Sequence, residues 1–138
     1  MFNVLNEMNW LAILITTVVF SILGGIWFTL FFGKSYAYSL GQNYDPKERP
    51  KPLFIVGPFI CGLVTIMSIS ILVYTLNISS LKEAIILGLV IGLGIMSSTS
   101  VNTAINPNIP RPLLYGLISG GYFTLSSILG SIILYAMK

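Results

Sequence analysis

Long apolar runs separated by polar segments dominate the chain. The runs lie at residues 9–32, 53–76, 81–106 and 113–137. Each is long enough to cross the hydrocarbon core of a bilayer, which takes about 20 residues of α-helix. A polar loop at 33–52 joins the first two runs, and the other connections are short. The pattern predicts an all-α integral membrane protein, a four-helix antiparallel bundle forming a single transmembrane domain over residues 1–138.

Composition strengthens this prediction. The 138 residues are 55% hydrophobic and only 8% charged, and the mean hydropathy is +0.91. Soluble domains carry about 25% charged residues, so a membrane protein is the class that fits. The net charge of +3 comes from basic residues at helix ends, where they orient a membrane protein. We therefore expect the lipid bilayer as a partner and no nucleic acid.

The distribution of basic residues predicts the orientation. The polar loop contains four of the seven Lys and Arg residues, and Arg111 follows the third predicted helix. The opposite side has Lys82 and Lys138. Because cytoplasmic loops carry an excess of Lys and Arg, both of these connections should lie in the cytoplasm and both termini outside.

Small residues at helix-packing spacings occur in three of the predicted helices. The six glycines concerned are Gly24, Gly25, Gly88, Gly92, Gly116 and Gly120. In lipid, helices associate through close backbone approach, which glycine permits. We interpret these glycines as packing residues, and because they are many for four short helices, we also expect a homo-oligomer.

The third predicted helix is the one against which we expect the others to pack most closely, and it carries a row of polar residues. Ser98, Asn102 and Asn106 recur every four residues and Thr99 flanks them, which places them on one side of an α-helix. Because an unpaired amide in hydrocarbon is costly, this side should face other helices or water. One interpretation is a dry seam of hydrogen bonds between helices.

The alternative is a wet cavity that opens toward the cytoplasm. Its lining would add Trp27 and Tyr115 to this row of polar residues, with Lys34 and Arg111 at the rim. A basic rim would suit anionic lipid headgroups or a small anion.

Catalytic and metal chemistry find little support. There is no histidine and one cysteine, so Cys/His zinc sites and internal disulfides are excluded. The predicted helices contain no Asp, Glu, Lys, Arg or His beyond Lys82 and Glu83 at a boundary, which argues against a proton-coupled transporter. Asp45 and Glu48, the closest carboxylate pair, lie in a loop rich in Lys and Arg. We expect no catalytic residues, no metal and no cofactor.

Several short motifs resemble a known family. They are Asn9-Trp10, Gly24-Gly25-Ile26-Trp27-Phe28 and Phe32-Gly33-Lys34 with Tyr36 nearby. The chain resembles a bacterial family of small four-span membrane proteins, catalogued as a domain of unknown function, family seventeen sixty-one. The resemblance implies four helices in a bacterial cytoplasmic membrane, and it implies no activity.

Two function classes remain open at this point. The first is a non-enzymatic protein that interacts with the membrane or its lipids, or binds an unidentified membrane partner. The second is a small permease or channel for a neutral or anionic solute.

Overall fold

The computed structural model describes residues 2–138. Four long helices, the first to fourth spans, occupy Trp10–Phe31, Leu53–Thr75, Leu81–Ala104 and Pro112–Ala136. A 3-10 turn at Phe2–Asn6 precedes them, and a short helix at Gly33–Ser39 follows the first span. The described residues form helices, turns and loops without any strand. All four spans are long and apolar enough to cross a membrane, which confirms the predicted all-α membrane bundle.

Side-chain caps set the beginnings of two spans. The Asn9 side chain accepts a hydrogen bond of 3.0 Å from the amide of Ala12. The Ser80 hydroxyl accepts one of 3.2 Å from the amide of Glu83, while the Glu83 carboxylate accepts one of 2.8 Å from the amide of Ser79. These bonds satisfy amides that have no partner inside the helix.

Two spans contain π-helical segments, at Trp27–Phe31 in the first span and Val90–Ser97 in the third. In a π-helix the amide bonds the carbonyl five residues back, as the Phe32 amide does with the Trp27 carbonyl at 2.9 Å. A π-helix turns less per residue than an α-helix, so the residues after each segment face a different direction from an α-helical prediction.

The fourth span is the central helix of the bundle, although we expected the third. It contacts all three other spans and the short helix. Half of its most apolar 18-residue window is buried, against 22–33% in the other spans. The physical reason is that glycine and serine recur along the whole fourth span, so neighbours can approach it from several sides.

Glycines on the third span touch the backbone of the fourth. A Cβ added to Gly88 would lie 2.5 Å from the Cα of Ile128, and one added to Gly92 would lie 2.7 Å from the Cα of Thr124. A real Cβ atom essentially never lies within 3.0 Å of an atom to which it is not bonded. Only glycine therefore allows the two helices to lie at this distance.

Glycines on the fourth span also lie against the third span, at Val101 and Ser97. A Cβ on Gly116 would lie 2.6 Å from a methyl group of Val101, and one on Gly120 would lie 3.1 Å from the Cβ of Ser97. The four glycines predicted on these two helices thus all lie in the contact between the third and fourth spans.

The adjacent glycines of the first span have different surroundings. A Cβ on Gly24 would lie 3.0 Å from the Tyr122 hydroxyl, whereas Gly25 has no atom within 4 Å of that position. The Tyr122 hydroxyl also donates to the Phe20 carbonyl at 3.0 Å. Gly24 therefore makes room for a tyrosine of the fourth span, while Gly25 faces outward and has no packing partner among the described residues.

We predict that Gly92→Ala destabilises the bundle strongly. The new methyl group would push the third and fourth spans apart, and overpacking of this kind costs about 1–3 kcal/mol. The measurement is the thermal unfolding temperature in detergent, followed by size-exclusion chromatography.

Gly25→Ala is the matched control, because the same methyl group meets open space there. Its unfolding temperature should stay within a few degrees of the wild-type value, about what a surface substitution changes. Equal losses for the two variants would contradict the packing described for Gly92.

Candidate functional site

The polar residues predicted on the inner side of the third span lie mostly on its outer side. Ser98, Thr99 and Asn102 are exposed. Asn106 is half-buried beyond the end of the span, where its side chain donates to the Thr103 carbonyl at 2.6 Å. The structure therefore does not gather these four residues into a seam between helices or around a common cavity.

Ser97 and Val101 do face the fourth span, against Gly120 and Gly116, and Ala104 is buried. An uninterrupted α-helix turns about 100° per residue, which would put Ser97 about 140° away from Gly92 and Thr99 about 20° from it. The π-helical segment Val90–Ser97 removes much of this rotation and brings Ser97 onto the same side as Gly92. This is the physical reason why Ser98, Thr99 and Asn102 are turned outward.

Three consecutive hydroxyl groups bond carbonyls of the π-helical segment. At 2.7 Å each, Ser97 bonds the carbonyl of Gly92, Ser98 that of Gly94, and Thr99 that of Ile95. Serine and threonine often satisfy backbone groups that an irregular helix leaves free in a membrane. The run of hydroxyl residues thus stabilises the segment that precedes it.

Ser97 also connects the third span to the fourth. Its hydroxyl lies 2.7 Å from the Gly120 carbonyl and 3.0 Å from the Thr124 hydroxyl. The α-helical pattern did not single out Ser97. A signal was available, since the small residues Gly88 and Gly92 are followed by Ser97 and Val101 after a step of five instead of four.

Trp27 lies against the fourth span and does not join the polar residues of the third. Its indole nitrogen donates to the Ile118 carbonyl at 2.9 Å. A Cβ added to Gly121 would lie 3.2 Å from the indole ring. The glycine therefore makes room for the ring, and the hydrogen bond fixes its position between the first and fourth spans.

Tyr115 connects the fourth span to the short helix Gly33–Ser39. Its ring centroid lies 5.6 Å from that of Tyr36, and Phe28 lies on Tyr36 at 4.8 Å. Burial raises the pKa of the Tyr36 phenol, and the neighbouring Tyr115 raises it further. This aromatic contact holds the short helix against the bundle.

The two residues predicted for an anion-binding rim differ in their surroundings. Lys34 is exposed on the short helix. The Arg111 guanidinium lies 3.6 Å from the centroid of the Tyr38 ring and donates to the Tyr38 carbonyl at 2.6 Å. The Arg111 amide also bonds the Ser39 carbonyl at 3.3 Å. Arg111 is thus engaged in holding the loop before the fourth span on the short helix.

Buried hydroxyl groups inside the bundle mostly bond the backbone of their own helix. Thr16 donates to the Ala12 carbonyl at 2.6 Å and Thr17 to the Ile13 carbonyl at 2.8 Å. Over residues 2–138, no group of three or more His, Cys, Asp or Glu side chains could hold a metal ion. The buried polarity that these threonines carry is therefore used for helix structure.

The geometry leaves one outward region with unusual chemistry. We call it the polar face, and it comprises Gly94, Ser98, Thr99 and Asn102 on the outside of the third span. Asn102 makes no side-chain hydrogen bond within the described part of the chain, and a Cβ on Gly94 would have nothing within 4 Å. The polar face thus combines an open notch with an unpaired carboxamide.

Comparison with known proteins identifies the family and nothing closer. No curated protein and no solved structure matches the chain. A family model described as a protein of unknown function, DUF1761, matches residues 11–135. The match covers all of the four spans except Trp10 and Ala136, and it confirms the resemblance found in the sequence. The chain, with its four helices long and apolar enough to cross a membrane, belongs to the DUF1761 family of proteins of unknown function.

Proposed function

We propose that this protein is a non-enzymatic membrane protein that acts by associating with other membrane helices through the polar face. The first partner is a second copy of the same chain. The observation that supports the proposal is the outward position of Ser98, Thr99 and Asn102 on a membrane-spanning helix.

Polar side chains in a membrane span usually face the inside of a bundle or a water-filled space. Ser98 and Thr99 meet this requirement locally, since their hydroxyls bond carbonyls of their own helix. Asn102 has no such bond. A carboxamide carries both donors and acceptors, so Asn102 of one copy can pair with Asn102 of another across a twofold axis.

The shape of the polar face suits another helix. Gly94 and Ser98 are four residues apart, which is the spacing that lets two membrane helices approach closely. Open space at Gly94 leaves room for an approaching backbone. Bonds between membrane helices are worth about 0.6 kcal/mol on average, so the contact depends on this packing as well as on Asn102.

The way the hydroxyl groups are used supports a non-enzymatic role. A nucleophilic serine or threonine needs a base within hydrogen-bonding distance. Ser97, Ser98 and Thr99 instead bond backbone carbonyls. These groups serve the helix structure, which leaves association as the property that the geometry supports.

We further propose that the protein lies in a bacterial cytoplasmic membrane with both termini outside. The contact of Arg111 with Tyr38 joins the loop before the fourth span to the short helix that carries Lys34. The basic connections therefore lie at one end of the bundle, as the positive-inside rule requires of a cytoplasmic end. That end would face the anionic lipids of the cytoplasmic leaflet.

We predict that Asn102→Cys forms disulfide-linked dimers under mild oxidation in bacterial membranes. The change is made with Cys61→Ala, which removes the single native cysteine. Paired polar faces would bring the two new thiols within disulfide distance. Non-reducing gel electrophoresis measures the dimer fraction.

Val18→Cys in the same background is the matched control, because Val18 is 42% exposed on the first span, away from the polar face. Its dimer fraction should be at least several-fold lower. A dimer fraction that is low for both variants, or equal in both, would contradict association through the polar face.

We predict that Asn3→Cys in the Cys61→Ala background reacts with a membrane-impermeant maleimide on intact cells. Asn3 is exposed near the N-terminus, on the side proposed to lie outside. Lys47→Cys in the polar loop is the control and should react only after lysis. Labelling of Lys47→Cys instead of Asn3→Cys on intact cells would reverse the orientation.

A further inference from the structure

The third span has a feature that association alone does not require, namely the eight-residue π-helical segment Val90–Ser97 in its middle. Such segments are rare, are usually limited to a single turn, and occur often at functional sites. This one contains Gly94 of the polar face and lies directly before the other three members, Ser98, Thr99 and Asn102. It therefore determines which side of the following helix, Ser98–Ala104, faces the fourth span.

We infer that the third span switches between two registers, the observed π-helical one and an α-helical one in which Thr99 of the polar face turns toward the fourth span and Asn102 turns to the side of the helix. Closing the π-helical segment into an α-helix would rotate the following residues by about 100° and advance them by about one position. Thr99 would then lie about 20° from the direction of Gly92, and Asn102 about 80° from it. The inference rests on the proposed function, because it describes the regulation of the same polar face.

The side chains after the π-helical segment permit this rotation. The eight residues Ser97–Ala104 read SSTSVNTA, and none is larger than valine or asparagine. The facing surface of the fourth span at Gly116 and Gly120 consists of glycine. Within Ser97–Ala104, both registers therefore place side chains no larger than valine or asparagine against these glycines.

Hydrogen bonds stabilise the observed register, whereas glycines make the backbone flexible enough to leave it. The Ser97 hydroxyl bonds the Gly120 carbonyl and the Thr124 hydroxyl, which are contacts that rotation would break. Gly92 and Gly94 lie within the π-helical segment, and glycine gives the backbone its greatest conformational freedom. The switch therefore consists of one bonded serine and a flexible hinge.

The experiment measures the rotation directly with two spin labels in lipid nanodiscs that hold a single copy. One label is attached to the native Cys61, which is exposed, and the other to Asn102→Cys. Rotation by 100° moves a side chain on the helix surface by about 8 Å. We expect two distance populations separated by several ångströms in the chain of natural length.

Deletion of Gly94 is the decisive variant. It shortens the step from Gly92 to Ser97 from five residues to four, so an ordinary α-helix then keeps Ser97 toward the fourth span. We expect one distance population in this variant. Two populations that persist after the deletion, or a single population in both chains, would overturn the inference.

Ser97→Ala provides a second variant should the deletion fail to fold. It removes the bonds to Gly120 and Thr124, so the α-helical register should become at least about fivefold more populated, since the loss of even one hydrogen bond gives a shift of that size. Unchanged populations would count against the switch.

Labels at Cys61 and Ile86→Cys are the matched control. Ile86 is 49% exposed and precedes the π-helical segment, so its distance from Cys61 should show one population in every variant. Because one copy is measured, these results are independent of dimer formation. A single population with normal disulfide-linked dimers would reject the switch alone, whereas two populations without dimers would reject the proposed association.

Discussion

Direct contact between the backbones of the third and fourth spans is the constraint from which the rest of the bundle follows. In lipid, apolar side chains gain nothing by leaving acyl chains for protein, so helices stay together through close packing and hydrogen bonds. Gly88 and Gly92 bring the two backbones together, and Ser97 adds a polar bond to Gly120. With one side of the fourth span occupied in this way, its other sides take the first span, where Tyr122 fits against Gly24.

The sequence was sufficient for the features that depend on local composition. Four apolar runs of spanning length follow from hydropathy, because every backbone group in hydrocarbon must be bonded within a helix. The close contacts at Gly88, Gly92, Gly116 and Gly120 lie where the spacing of small residues predicted packing. The central position of the fourth span was missed, since an abundance of glycine and serine on several sides of a helix does not produce a strong periodic signal.

The polar face shows where an α-helical pattern stops being a reliable guide. Angles in a helical projection add up along the chain. A single extra residue accommodated in one turn therefore changes the direction of every later side chain by about 100°. The segment Val90–Ser97 introduces this change between Gly92 and Thr99. The prediction was therefore reasonable for each half of the third span separately and wrong in relating one half to the other. Only the step of five residues from Gly92 to Ser97 recorded the change in the sequence.

The hydroxyl residues and Asn102 have different explanations, and this difference decides where a function can be sought. A π-helical segment in a membrane leaves carbonyls that water cannot reach, and Ser97, Ser98 and Thr99 bond them. Their presence follows from the helix itself and needs no ligand. Asn102 bonds no carbonyl within the described residues, so the fold does not account for it. An explanation of Asn102 must come from outside the single chain, and another helix with a matching carboxamide provides one with the chemistry already present in this sequence.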